Sequence, residues 1–319
     1  MTWVVWRQHR AQAYYAGAAL GAFAVLLLVT GVQMASQYHS ALLTCAQTDT
    51  CGALGGTLTL GSPTLFTLVT LTVAVPGLLG VFWGAPLVAR EFETGTSQFV
   101  WMQTVTRRHW FAVKVGWVLL AAAVCGGALA AVVTWWSATG NALHHDRFDL
   151  NQFPIQGIVP VGYALFAVAL GIAAGALLRR TLPAVAVTIG VFTAVRLLID
   201  DFVRPHYQTP LTVVAALGHP TGGPAGAAWM LSSTITNPAG QPVQGVPLAQ
   251  APAVCRALIG QGGPGKYFAC MGDHGFHNIL TYQPANRYWA FQGIETGIFV
   301  ALAAALVAVT LIVLLRRDA

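Results

Sequence analysis

Six stretches of the chain are apolar almost without interruption, at about 14–34, 64–88, 114–136, 158–178, 183–201 and 290–315. A bilayer core of roughly 30 Å is crossed by about 20 apolar helical residues, so each stretch predicts one membrane-spanning helix. Pro76 and Pro86 lie inside the second, which is therefore expected to be kinked or broken. Pro183 opens the fifth and suits a first helical turn. Only Arg179, Arg180, Thr181 and Leu182 separate the fourth stretch from the fifth, so those two spans form a tight hairpin. The fold expected is an all-α integral membrane protein of six transmembrane helices.

Composition agrees with the pattern. Of 319 residues, 56% are hydrophobic and 8% charged, against about 25% charged in soluble domains. The net charge of +6 therefore says less about nucleic acid than the position of each basic residue does. With the N-terminus inside, Arg7, Arg10, Arg90, Arg107, Arg108, Lys114, Arg179, Arg180, Arg316 and Arg317 all fall at cytoplasmic ends, ten of the 16 Lys and Arg. The positive-inside rule then predicts that both termini are cytoplasmic. Trp3 and Trp6 beside Arg7 and Arg10 predict an N-terminal segment lying at the lipid headgroups rather than a cleaved signal peptide.

Two long segments face outward on this topology, 35–63 and 202–288. The second carries ten Pro and twelve Gly in 87 residues, a density that favours turns and short strands over long helices. Within it, residues 234–243, TITNPAGQPV, read as strand, turn and return. The domains expected are thus a membrane domain, 1–201, an extracellular domain, 202–288, and a last helix with its tail, 289–319. Cys45 and Cys51 fall in the first outer segment, Cys255 and Cys270 in the second, and Cys125 inside the third span. Two even pairs on the oxidising face predict disulfides, and pairing within each segment closes the shorter loops. Reduced or metal-bound cysteines are the alternative.

Other candidate chemistry is sparse. GQGGPGKY, 260–267, approaches a phosphate-binding loop, but Tyr267 occupies the position of the magnesium-binding hydroxyl and no apolar strand leads in. The pairs His144–His145 and His274–His277, each near an Asp, fall short of the three or four ligands of a zinc site, so no metal is expected. Catalytic motifs of the common hydrolase types do not occur, and no catalytic residue is assigned. Arg196 and Asp200 stand four apart on the fifth span and can pair, with Asp201 next to them and Glu295 near the start of the last span. Such embedded charges are costly, and they read first as a salt bridge joining spans, then as a gate or a proton relay. Gly17 with Gly21 and Gly171 with Gly175 have the spacing of close helix packing.

The most distinctive stretch is 89–114, AREFETGTSQFVWMQTVTRRHWFAVK, which holds six of the 26 charged residues and is placed between the second and third spans, in the cytoplasm. Gly95 interrupts any single helix through it, and Thr106 can cap the helix that enters the third span. Aromatic residues account for a membrane-surface anchor, whereas the mixed charges suit a protein partner.

This stretch resembles the first cytoplasmic loop of ABC transporter permeases of the type-2 exporter class, which includes ABCG-like proteins, in their actinobacterial form. The family pattern is an acidic pair, Gly-Thr, a short coupling helix, then Thr-Arg and a Lys entering the third span; Glu91, Glu93, Gly95, Thr96, Thr106, Arg107 and Lys114 follow it in order. The resemblance implies that Glu91, Glu93, Gly95, Thr96, Phe99, Trp101, Gln103, Arg107, Arg108 and Lys114 couple the chain to a separate cytoplasmic ATPase. Two ATPases would work with two permeases, as a homodimer or with a paralogous permease, in a bacterial plasma membrane. ATP and Mg would be bound by the partner and no cofactor by this chain. The expected activity is efflux of a hydrophobic or amphipathic drug, peptide or lipid. An ion-coupled carrier using the embedded charges, a non-transporting anchor or sensor, and a membrane enzyme with an outer site at His274 and His277 are the alternatives.

Overall fold

The computed structural model describes residues 2–48, 63–94, 106–144, 147–149, 151–219, 228–243, 245, 248–259 and 264–317. They belong to two compact units, one of residues 1–144, 150–204 and 290–319, the other of residues 145–149 and 205–289.

The first unit is helical and contains the apolar spans. Helix α1 runs Thr2–Thr48. With no Gly or Pro before Gly17, residues 2–16 continue the helix ahead of the apolar span without a break. The second span is discontinuous, as its prolines require. It comprises α2 (Pro63–Leu71), a 3₁₀ turn (Thr72–Ala74), α3 (Val75–Leu79), a π turn (Gly80–Gly84) and α4 (Ala85–Glu93). Each irregular turn immediately precedes the short helix in which Pro76 or Pro86 stands at the start, so the missing N–H falls where the hydrogen-bond pattern already changes. Helix α5 (Arg107–His144) follows, then α6 (Val159–Leu178) and α7 (Thr181–Leu198), the last prolonged by a π turn, Ile199–Val203. Helix α10 (Tyr288–Arg317) closes the chain.

Among the described residues six helices are long and apolar enough to cross a membrane: Gly17–Ser40, Thr67–Glu93, Arg108–Ala138, Val159–Leu178, Thr181–His206 and Ala285–Arg316. Helix α6 is the axis of the unit, with 78% of its apolar stretch buried against 17–39% for the others. It is small on the side facing the broken span. A Cβ on Gly80, Gly84 or Gly175 would come within 2.5–2.6 Å of a backbone oxygen of Ala167, Val168 or Ala85, and one on Gly171 would strike Gly80. The Gly171/Gly175 pair therefore packs within this chain, while Gly17 and Gly21 meet nothing within 4 Å. Around this seam Leu79, Leu87, Val88, Phe111, Val115, Val168 and Ile172 form one core.

The second unit corrects the all-α expectation. It is built on a four-stranded antiparallel sheet, in the order β1-β4-β2-β3. The strands are β1 (Leu211–Ala216), β2 (Trp229–Thr236), β3 (Pro242–Val243) and β4 (His277–Gln283), with short helices α8 (Ala253–Arg256) and α9 (Pro264–Asp273). The strand, turn and return read from 234–243 are present: Asn237 Oδ1 accepts from Ala239 N (3.1 Å) and Gln241 N (2.9 Å), and Gly240 supplies φ +77°. A disulfide joins Cys255 of α8 to Cys270 of α9, and Leu217, Tyr267, Met271 and Phe276 pack with Cys255. Tyr267, the residue that spoils the phosphate-loop pattern, is core here. Phe148 joins the same unit by stacking on Trp229 and meeting Tyr288 edge-on. Cys51 lies outside the described residues, as does the Cys45 side chain, so the Cys45–Cys51 pairing lies there too.

Candidate functional sites of the membrane unit

Two groups of charged side chains occupy opposite ends of α7. At its C-terminal end Arg204, fully buried, is surrounded by carboxylates. It donates from Nε to Glu295 Oε2 (2.8 Å) and from Nη2 to Glu295 Oε1 (2.7 Å), a two-pronged contact from α7 to α10. Nη2 also pairs with Asp200 one turn back and lies 3.2 Å from the Tyr163 hydroxyl of α6, which itself donates to Glu295. The guanidinium rests 4.3 Å from the Phe153 ring centroid. Arg196 completes the row: 3.7 Å from Asp200, 5.3 Å over the Tyr163 ring, and donating at 3.4 Å to the carbonyl of Val73 in the 3₁₀ turn of the second span. Two cations and two anions balance, which is what makes such burial tolerable.

Nearby, α10 also caps α6. Gln292 Oε1 accepts from Ile158 N and Val159 N, both at 3.0 Å, and its Nε2 donates to Phe153 O at 3.1 Å. These are amides that a helix start leaves without internal partners. Gly157, at φ +68°, lets the chain pass against Gln292.

The sequence anticipated Arg196, Asp200 and Glu295 near one another, but not their organiser. Arg204 lies beyond the apolar stretch, in the segment 202–288 that the pattern makes an outer one; its spacing of four from Asp200, itself four from Arg196, is the signal in the sequence. Tyr163 carried no signal among its apolar neighbours. Asp201 is exposed and takes no part in the cluster.

At the other end of α7, the segment 89–114 begins and ends in contacts. Lys114, buried in α5, is paired with Glu91 of α4 and lies 5.1 Å from the Trp110 ring centroid. Glu93, two residues on and exposed, reaches a third element. Its Oε1 accepts from Thr181 N and its Oε2 from Thr181 Oγ1, both at 2.7 Å. Thr181 is the first residue of α7, so a carboxylate from α4 satisfies an unpartnered amide and faces the positive end of the helix dipole. The turn between α6 and α7 is held as well: Arg179 takes φ +53°, bonds from N to Gly175 O at 3.0 Å, and stacks 4.8 Å over Phe92. Thr106 caps α5, accepting from His109 N at 3.4 Å. Arg108 is exposed. Gly95, Thr96, Phe99, Trp101 and Gln103 lie outside the described residues, as does the Arg107 side chain.

In the second unit, donor atoms of Cys255, Cys270 and His274 lie within 4.8 Å of one another. Both sulfurs are joined in the disulfide, and His274 Nδ1 is 2.8 Å from Cys270 O. Asp273 pairs with His219 at 3.0 Å, and His277 Nδ1 is 3.0 Å from Gly275 O. His274 and His277 thus have separate partners.

Compared with protein families, residues 17–204 match the model described as "ABC-2 membrane transporter related". That region takes in five of the six spans and both charged ends of α7 apart from Glu295. Comparison with curated proteins and with solved structures finds no match.

Proposed function

We propose, since the chain belongs to the ABC-2 membrane transporter related family, that it is the membrane-spanning permease of an ATP-driven exporter, moved by a separate cytoplasmic ATPase. The observation that carries the reading is the family match taken together with the base of segment 89–114, where Glu91–Lys114 joins α4 to α5 and Glu93–Thr181 joins α4 to α7. A loop that receives force from a partner needs a stiff base, because a partner shifts a conformational equilibrium only through its different affinity for the two states.

In this reading Arg108 and the residues between Glu93 and Thr106 meet the ATPase, and Glu91 and Lys114 hold the loop in place for it. The partner binds ATP and Mg, two ATPases serve two permeases, and the subtype is the actinobacterial, ABCG-like one. Basic residues at 90, 107, 108, 114, 179 and 180 support, by the positive-inside rule, a cytoplasmic position for that end and for both termini. The sheet unit is then extracellular, where its disulfide is stable. The exported substrate is a hydrophobic or amphipathic drug, peptide or lipid.

The test is to purify the tagged full-length protein in mild detergent from its native membrane and assay ATP hydrolysis. An ATPase subunit should accompany it in near-equal amount, with measurable hydrolysis. A chain that purifies alone in several detergents, without ATPase activity, contradicts the reading. Transport driven by a proton gradient without nucleotide would then favour a carrier built on Asp200 and Glu295.

A further inference from the structure

Resting on the permease reading, we infer that Glu93 is the positioning residue through which movement of the 89–114 loop reaches α7. Glu93 is the last residue of α4, within the 89–114 segment, and places both carboxylate oxygens on Thr181, at 2.7 Å each. The contact spans 88 positions and crosses from the second span to the fifth. The receiving residue is the first of its helix, so the two hydrogen bonds act on the end of a rigid rod and not on a side chain free to turn.

The surroundings leave α7 disposed to follow. Among its described side chains only Ala184, Thr188 and Phe192 are buried over Thr181–Leu198, so its contact with the rest of the unit is one narrow stripe. Its far end is fixed by Arg204 to Glu295 and Tyr163. At the Thr181 end the Glu93 carboxylate acts beside the short α6–α7 turn and the packing of Ala184 and Val185 on Ala85 and Ala174, so the two hydrogen bonds tie the end of α4 to the start of α7. Phe92, stacked under Arg179, keeps the α6–α7 turn beside Glu93 as α4 moves. Glu93 has the double partner and the helix end, Glu91 the neighbouring span alone; the two acids of the loop therefore have different tasks.

The experiment uses full-length protein with its co-purified ATPase, Cys125 changed to Ser, and a bimane fluorophore on one introduced cysteine. The sites are His109→Cys, at the exposed end of the loop segment, and Val187→Cys, on the exposed face of α7 and within the span. Protein without an introduced cysteine supplies the background. Emission is compared without nucleotide and with ATP plus vanadate. With Glu93 intact, both sites respond. In Glu93→Ala the loop site keeps its response and the α7 site loses it, a drop of about fivefold or more, the scale of a typical coupling between sites. Thr181→Val removes one of the two bonds and leaves the amide, so it gives a smaller drop, and Thr181→Ser restores the response. A merely structural role would lower yield or melting temperature and leave both responses in proportion. An α7 response that persists in both Glu93→Ala and Thr181→Val overturns the inference and leaves the permease reading standing. Absence of an ATPase from the protein without an introduced cysteine, or of any nucleotide response at His109→Cys when the ATPase is retained, overturns both.

Discussion

The two ends of α7 solve the same electrostatic problem in opposite ways. At Arg204 the charges are withdrawn from solvent completely, with Arg204 and Glu295 both at 0% exposure, and three helices share them. At Thr181 the carboxylate of Glu93 stays exposed and holds one residue. Burial raises both the cost of separating a pair and the cost of leaving one member alone. An exposed cap can break and re-form with water as a substitute. The Arg204 end is therefore built to hold, and the Thr181 end to exchange.

The sharpest way to break that contrast is at Arg204. Arg204→Met leaves Glu295 and Asp200 buried with too little positive charge, and should cost about 3–5 kcal/mol, read as a large fall in melting temperature of the detergent-solubilised protein. Adding Glu295→Gln should restore much of the loss by removing the orphaned charge. A single mutant as stable as the parent would mean that water already reaches the cluster. Next in size, Glu93→Ala removes an exposed helix cap, so its thermal shift must be clearly smaller than that of Arg204→Met. Equal shifts would erase the distinction between the ends. The smallest effect belongs to Asp201→Asn, which alters an exposed carboxylate outside the cluster and should change stability by no more than about 0.5 kcal/mol; a larger change would place Asp201 in the network after all.

Much of this fold was legible because a bilayer imposes a length and forbids unpaired backbone. The six spans, the breaks around Pro76 and Pro86, the α6–α7 hairpin and the Thr106 cap follow from local pattern. Less accessible was whatever depends on contact between distant segments. Arg204 looked like a loop residue until its partner at position 295, 91 residues away, came into view. The contact of Glu93 with Thr181 was equally hidden, because nothing near Glu93 in sequence announces it. The Gly171/Gly175 spacing suggested close packing without naming the partner, which proved to be Gly80, Gly84 and Ala85 of the same chain. The sheet is the clearest miss in class: Gly and Pro marked turns, and only the 234–243 hairpin was short-range enough to read.

The claim that a braced loop binds a separate ATPase is tested most directly by exchanging the brace. Glu91→Lys and Lys114→Glu each set like charges against one another in a buried place, whereas the double exchange restores an opposite pair with its direction reversed. The measurement is the amount of ATPase subunit retained on the purified chain. The account predicts that each single variant loses the partner and that the exchange recovers it. Single variants that keep the partner in full, or an exchange no better than either single, would contradict it.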